Sequence, residues 1–179
     1  MFINEPIIGK YVILKSATVD DADFTLQLRQ NPNLTKFLPK LNISISEQRK
    51  WLNSQKNREG DYFFVVYNNV GERIGVLGLY DINDNSGETG RLAIIGNPLE
   101  SLEAQYLSFV FAFDVLELSS TKCFIYEENS KAIRLSEFFG TTFSSLSEDE
   151  KGNKGYHGLL SRENFKKCEK SVKRVLHIE

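Results

Sequence analysis

Hydrophobic positions change period along the chain, and each change marks an element. Residues Tyr11-Val12-Ile13-Leu14-Lys15 are β-branched and aromatic, which predicts a strand. Asp20 or Asp21 then opens a helix carrying Ala22, Phe24, Leu26 and Leu28, and Pro32 ends it. Residues 33–45 have no regular period. A second helix is expected over 46–58, opened by Ser46 or Ser44 and carrying Trp51 and Leu52. Three strands follow at close spacing, over 62–67, 73–82 and 88–95. The turns Asn68-Asn69-Val70-Gly71 and Asn83-Asp84-Asn85-Ser86-Gly87 separate them, which predicts an antiparallel meander.

From Leu99 the period becomes helical. Leu99, Leu102, Tyr106, Phe109, Val110, Phe113 and Leu116 form one apolar stripe. A strand over 122–126 comes next. Asn129 can cap a helix through Ala132, Leu135 and Phe138, with Gly140 as its C′ residue. Strands near 142–146 and 156–160 precede a C-terminal helix, whose wet face takes Lys166, Lys167, Lys170, Lys173 and Arg174. Strands and helices do not alternate throughout, so a doubly wound fold is disfavoured. The strand-helix-strand-helix unit in the middle requires at least one parallel pair inside a mostly antiparallel sheet. The class is α+β, with mixed strand directions.

Composition adds mainly exclusions. The 179 residues suit one domain, and no repeat or Pro/Gly linker divides them. Lys plus Arg is 22 against 24 for Asp plus Glu, a net charge of -2, so nothing pulls the chain generally toward nucleic acid or anionic membrane. Cys123 and Cys168 belong to no CxxC or Cys/His cluster, so no metal is expected, and a reduced, cytoplasmic setting is the simpler reading. Met1-Phe2-Ile3-Asn4-Glu5-Pro6 lacks a basic region and an apolar region, which predicts no secretory leader. The most apolar run, residues 107–113, is too short to span a bilayer.

The element order and several local segments resemble the Gcn5-related N-acetyltransferase (GNAT) superfamily. Residues 12–22 look like the family's opening strand and first helix cap. Leu28-Arg29-Gln30-Asn31-Pro32 resembles a segment of the branch that acetylates ribosomal proteins and amino sugars. Glu88-Thr89-Gly90-Arg91-Leu92-Ala93-Ile94 resembles that branch's central strand. Asn129-Ser130-Lys131-Ala132-Ile133-Arg134-Leu135 followed by Phe139-Gly140 matches its second motif. The resemblance covers roughly residues 10–165 and implies a six- to seven-stranded, mostly antiparallel sheet with a central parallel pair and helices on both faces. It implies acetyl-coenzyme A as cosubstrate and a primary amine as acceptor. Within the superfamily the chain looks most like enzymes that acetylate a nucleotide-linked deoxyamino sugar, as in pseudaminic acid synthesis. A ribosomal-type protein N-terminus is the alternative acceptor, and a binding module with a degenerate coenzyme site is the alternative class. An acidic cleft would favour a peptide, and a basic, aromatic one a nucleotide. A homodimer is compatible with this reading.

Acyl transfer to an amine needs the thioester held beside the amine, a base for the amine proton and a donor for the oxyanion. The resemblance implies that Ala93, Ile94 and Ile95 hold the pantetheine arm along the strand. It implies that Gly96, Asn97, Ser101, Leu102, Glu103 and Ala104 form the pyrophosphate loop and helix start, and that Asn129 and Ala132 add contacts. This loop departs from the family's Arg/Gln-x-x-Gly-x-Gly/Ala pattern, having one glycine and no basic residue. Read by themselves, Asn97 as N-cap, Pro98 at N1 and Glu100 at N3 nearly complete a capping box, and a helix sealed in that way needs no phosphate. A start at Ser101 would leave 96–100 as a loop.

Glu88 is the candidate base, or else a strand-end carboxylate on the surface. Strand alternation sends Arg91 to the opposite face from Glu88. There it forms a structural ion pair, unless a bulge re-aims it toward an acceptor phosphate. Phe37, Leu38 and Trp51 either cover the acceptor or fill core. Tyr80, Asp81 and His157 are further acceptor-side candidates, against plain strand and turn roles. Ser136 stands where many family members carry an acidic tyrosine.

Overall fold

In the computed structural model, which describes residues 1–38 and 40–178, one sheet runs through the protein. Its strands are β1 (Ile7–Ile8), β2 (Val12–Ser16), β3 (Tyr62–Asn68), β4 (Arg73–Asn83), β5 (Ser86–Ile94), β6 (Ser120–Tyr126), β7 (Thr142–Phe143), β8 (Ser147–Glu148) and β9 (Lys154–Ser161). The helices are α1 (Ala22–Gln30), α2 (Ile45–Gln55), α3 (Pro98–Val110), α4 (Ser130–Phe138) and α5 (Arg162–Leu176). The spatial order is β1-β2-β3-β4-β5-β6-β9-β7, with β8 on β9. All neighbours are antiparallel except β5 and β6. The strand count exceeds the six to seven expected because β1 and β8 have two residues each, too few to show a period, while the strand expected near 142–146 is present as the short β7. The irregular segment expected over 33–45 ends at Ser44, and Pro39 within it lies outside the described residues.

Alternation along the central strands builds two cores. Phe64, Val66, Leu77 and Leu79 face α3 and α5, where Leu107, Phe109, Phe113 and Phe165 meet them. Phe63, Val65, Val76 and Ala93 face α1 and α2, where Leu28, Leu52 and Trp51 meet them. Each strand face is therefore covered by helices, which is why β3 reads as a continuous apolar run and not as an alternating one. The α3 helix runs on into a π turn at Phe111–Val115, which lets Leu118 N–H reach the Ala112 carbonyl.

One buried acidic side chain ties α3 to the sheet edge. Glu103 is fully buried, and its carboxylate accepts the N–H groups of Lys10 (2.9 Å), Tyr11 (2.6 Å) and Val12 (2.8 Å). A side chain at Gly9 would collide with this carboxylate, so the β1–β2 connection closes tightly over it. Leu102 and Ala104, beside it, are core residues. These three were expected at the coenzyme loop. They face the apolar interior instead, because they share the stripe that includes Leu99 and Tyr106. Replacing Glu103 by Ala would orphan three donors, one buried and two partly buried, and the expected loss is roughly 2 kcal/mol or more in urea unfolding. A loss under about 1 kcal/mol would mean that water re-satisfies the connection.

Candidate active site

The site grows from the β4–β5 hairpin. Asp84 and Asn85 take positive φ (43° and 66°) at its turn, a conformation that Asx side chains tolerate. The turn brings Tyr80 directly opposite Glu88, and the Tyr80 hydroxyl donates to Glu88 Oε1 at 2.9 Å. Burial pushes the Tyr80 phenol well above its ordinary range, and the Glu88 carboxylate adds to the rise, so Tyr80 stays a donor at neutral pH. Gly90 lies on the same face, where any side chain would strike the Tyr80 hydroxyl.

At residue 91 the ladder breaks. Val76 pairs with Ala93 and Gly78 with Gly90, so Arg91 and Leu92 together oppose Leu77, and Arg91 has φ 53°. This β-bulge turns the Arg91 side chain onto the face of Glu88, contrary to the alternation expected from the sequence. The guanidinium lies over the Tyr80 ring, 4.1 Å from its centroid, and 5.4 Å from that of Trp51. It also forms a two-pronged ion pair with Asp61, at 2.6 and 3.1 Å. Burial alone would raise the Asp61 carboxyl. The Arg91 hydrogen bonds and charge, helped by Gln55 and Arg58, outweigh burial and hold it below the usual carboxylate range.

Beyond Glu88↔Lys122 the parallel strands β5 and β6 no longer pair. The gap between them opens into a cavity of about 370 Å³. Leu92, Ala93 and Ile94 border it on one side, and Cys123, Phe124, Ile125 and Tyr126 on the other. Leu34, Phe37 and Leu38 close one end from the α1–α2 link, and Ser101, Asn129, Ala132 and Ser136 border it from α3 and α4. Its charged lining among the described residues is Arg91, Lys122 and Lys131, without a carboxylate. Burial pushes the Cys123 thiol up to about 11, so it is neutral here.

Other candidates lie elsewhere. Glu88 and Tyr80 adjoin the cavity through Thr89 and Gly90 without lining it. Asp81 is exposed, with φ 49°, in the irregular stretch between Tyr80 and Asn83. His157 is exposed beside a second, smaller recess with Thr142, Phe143 and Leu159, its ring 4.9 Å from that of Phe124. Ile95 is exposed at the end of β5.

The unpaired edge of β5 suits an extended arm added as a strand, because its backbone groups need partners. The start of α3 is different. Asn97 Oδ1 accepts the N–H groups of Leu99 (2.9 Å) and Glu100 (3.0 Å), and Glu100 Oε2 accepts that of Asn97 (2.7 Å). Ser101 N–H bonds the Asn97 carbonyl and Pro98 has no N–H, so this turn is satisfied internally. The pantetheine end of a coenzyme fits the residues present. A pyrophosphate on α3 does not.

Three comparisons agree with this architecture. Residues 12–142 match the family model described as acetyltransferase (GNAT) domain. The acetyltransferase PseH of Campylobacter jejuni is 24% identical over 112 residues, covering 60% of this chain and 68% of that protein. The apo structure of FdhC, a nucleotide-linked sugar GNAT, superposes with TM-score 0.83 at 20% identity, over 99% of this chain and 100% of that one. Spermidine N-acetyltransferase from Vibrio cholerae, solved with CoA and spermine, gives TM-score 0.80 at 19% identity, over 88% of this chain and 99% of that one.

Asp61 supplies a pH dependence. Its folded value lies below the unfolded one of about 3.9, so its stabilisation is full above about pH 4 and fades as pH falls through the folded value. Asp61→Asn should lower stability at pH 7 and flatten the loss below about pH 4. Parallel acid profiles for parent and variant would rule the pair out as a stabilising contact.

Proposed function

The chain belongs to the GNAT acetyltransferase family, and from that premise we propose that it acetylates the primary amine of a nucleotide-linked deoxyamino sugar. The observation that carries this reading is the charge of the cavity lining. Arg91, Lys122 and Lys131 are its charged members among the described residues, and Phe37, Phe124 and Tyr126 supply aromatic surface. Such a lining attracts an anionic, ring-bearing acceptor. It disfavours a polyamine, whose several cations exceed the single Glu88 carboxylate beside the cavity. PseH and the nucleotide-linked sugar enzyme FdhC, among the proteins this chain is similar to, support the same choice.

Acetyl-coenzyme A supplies the activated acyl group when bound. We assign Glu88 as the base that takes the amine proton. The Tyr80 hydroxyl fixes the direction of its carboxylate and leaves one oxygen available. Phe37 and Leu38, from the link before α2, shield that end of the cavity from water. Arg91 contributes field and shape. Two of its five N–H donors are committed to Asp61, which fixes the orientation of the guanidinium.

Two measurements test this. Glu88→Gln should lower kcat by about a hundredfold or more while leaving donor affinity nearly unchanged; near-parental turnover would remove Glu88 as the base. Offered acetyl-coenzyme A with a nucleotide-linked amino sugar, spermidine or an N-terminal peptide, the protein should favour the sugar in kcat/KM by about tenfold or more. Equal use of spermidine would sink the acceptor assignment.

A further inference from the structure

We propose that this chain recognises its acyl donor through the pantetheine arm alone, and that the nucleotide end of coenzyme A adds nothing at the start of α3. The proposal rests on the reading of the β5–β6 cleft as the donor site. Three observations carry it. The first is the closed ledger of N–H groups from Asn97 to Ser101, in which Asn97 and Glu100 side chains take the places a phosphate would fill. The second is charge: from Leu92 to Thr121 the sequence contains no Lys, Arg or His, and the one side chain that closes over the turn is the Glu100 carboxyl, so an approaching pyrophosphate finds no cation on its own element. The third is steric. Glu100 leans back over the loop, and a Cβ at Gly96 would lie 2.6 Å from Glu100 Oε2. The single glycine of the loop thus admits this carboxylate, which occupies the space beside the turn.

The arm itself keeps its contacts. Leu92, Ala93 and Ile94 offer the unpaired edge of β5, and Ser101, Asn129 and Ser136 put polar side chains along the same cavity. The donor class that follows is an acyl thioester of phosphopantetheine, whether that arm ends in the nucleotide of coenzyme A or is carried on a protein.

Calorimetry of the full chain with acetyl-coenzyme A and with acetyl-phosphopantetheine is the test. Dissociation constants within about threefold of each other support the proposal. Coenzyme binding about tenfold or more tighter than the truncated arm overturns it, and loss of that advantage in Lys131→Ala would put the phosphates on α4 instead. Absence of binding by either up to millimolar overturns the cleft reading as a whole, a different failure. The paired variant Asn97→Gly with Glu100→Gln opens the turn and removes its charge. It should tighten coenzyme A by about tenfold without changing the truncated arm; unchanged coenzyme affinity would show that this cap is not what excludes the nucleotide. Transfer from an acetylated acyl carrier protein at the rate of acetyl-coenzyme A would support the arm-only reading with a protein as the source. Equal rates from acetyl-coenzyme A and acetyl-phosphopantetheine would support it with the coenzyme as the source.

Discussion

The bulge at Arg91 is the constraint from which the site follows. An arginine with φ 53° costs of order 1 kcal/mol or more, because a Cβ crowds the backbone there. That conformation persists because the guanidinium is held on three sides, by Asp61, Tyr80 and Trp51. The extra residue bends β5 and increases its twist, so β5 pairs with β6 only as far as Glu88 and then leaves it. A parallel pair that separates inside a sheet would ordinarily leave backbone donors and acceptors without partners. Here the separation makes a cleft that crosses the sheet, walled by strand edges. The same bulge brings Arg91, Glu88 and Tyr80 to one face. A single local irregularity therefore sets both the width of the cleft and the electrostatics at its end.

Much of the fold was legible because its elements are long and periodic. The meander, the apolar stripe of α3, the Asn129 cap and the parallel pair all follow from hydrophobic spacing and turn residues. The two-residue strands β1 and β8 were not legible, since they are defined by partners and not by their own pattern, and β7 is shorter than the strand expected near 142–146. The face of Arg91 was misread because alternation assumes an unbroken ladder, and the bulge depends on Asp61, which precedes β3 and is thirty residues away in sequence. Glu103 was misassigned for a different reason. The loop resemblance drew it toward a phosphate, yet its position, four residues after Leu99 and three before Tyr106, already put it on the buried stripe. A carboxylate on an apolar stripe predicts a buried acceptor, and the orphaned N–H groups between β1 and β2 are what it accepts.

Charge is distributed more unevenly than a net value of -2 suggests. Acidic groups near the site are turned to structural use: Asp61 to Arg91, Glu103 to the β1–β2 connection, Glu100 to its own helix cap. The cavity lining is left with cations. Low-dielectric walls strengthen the field of such a lining, although Asp61 offsets part of the Arg91 charge.

Two helix starts face the same cleft and resolve their unsatisfied N–H groups differently. At α4, Asn129 accepts from Ala132 at 3.2 Å, a single side-chain bond, and the turn borders the cavity through Lys131 and Ala132. At α3 the cap is reciprocal, with proline pre-set at the first position and glutamate closing back on the asparagine. A helix start can bind an anion or be stabilised by its own side chains, and the more completely it does the second, the less it offers the first. The α3 cap is worth on the order of 1 kcal/mol to the helix whether or not a donor is present. A phosphate would have to displace it before gaining anything from the same N–H groups. The strand edge carries no such internal competitor, since among the described residues the β5–β6 ladder ends at Glu88 and Lys122. Donor affinity should therefore reside in the backbone of β5 and not in the dipole of α3, a division of labour set by the few residues between Ile95 and Ser101.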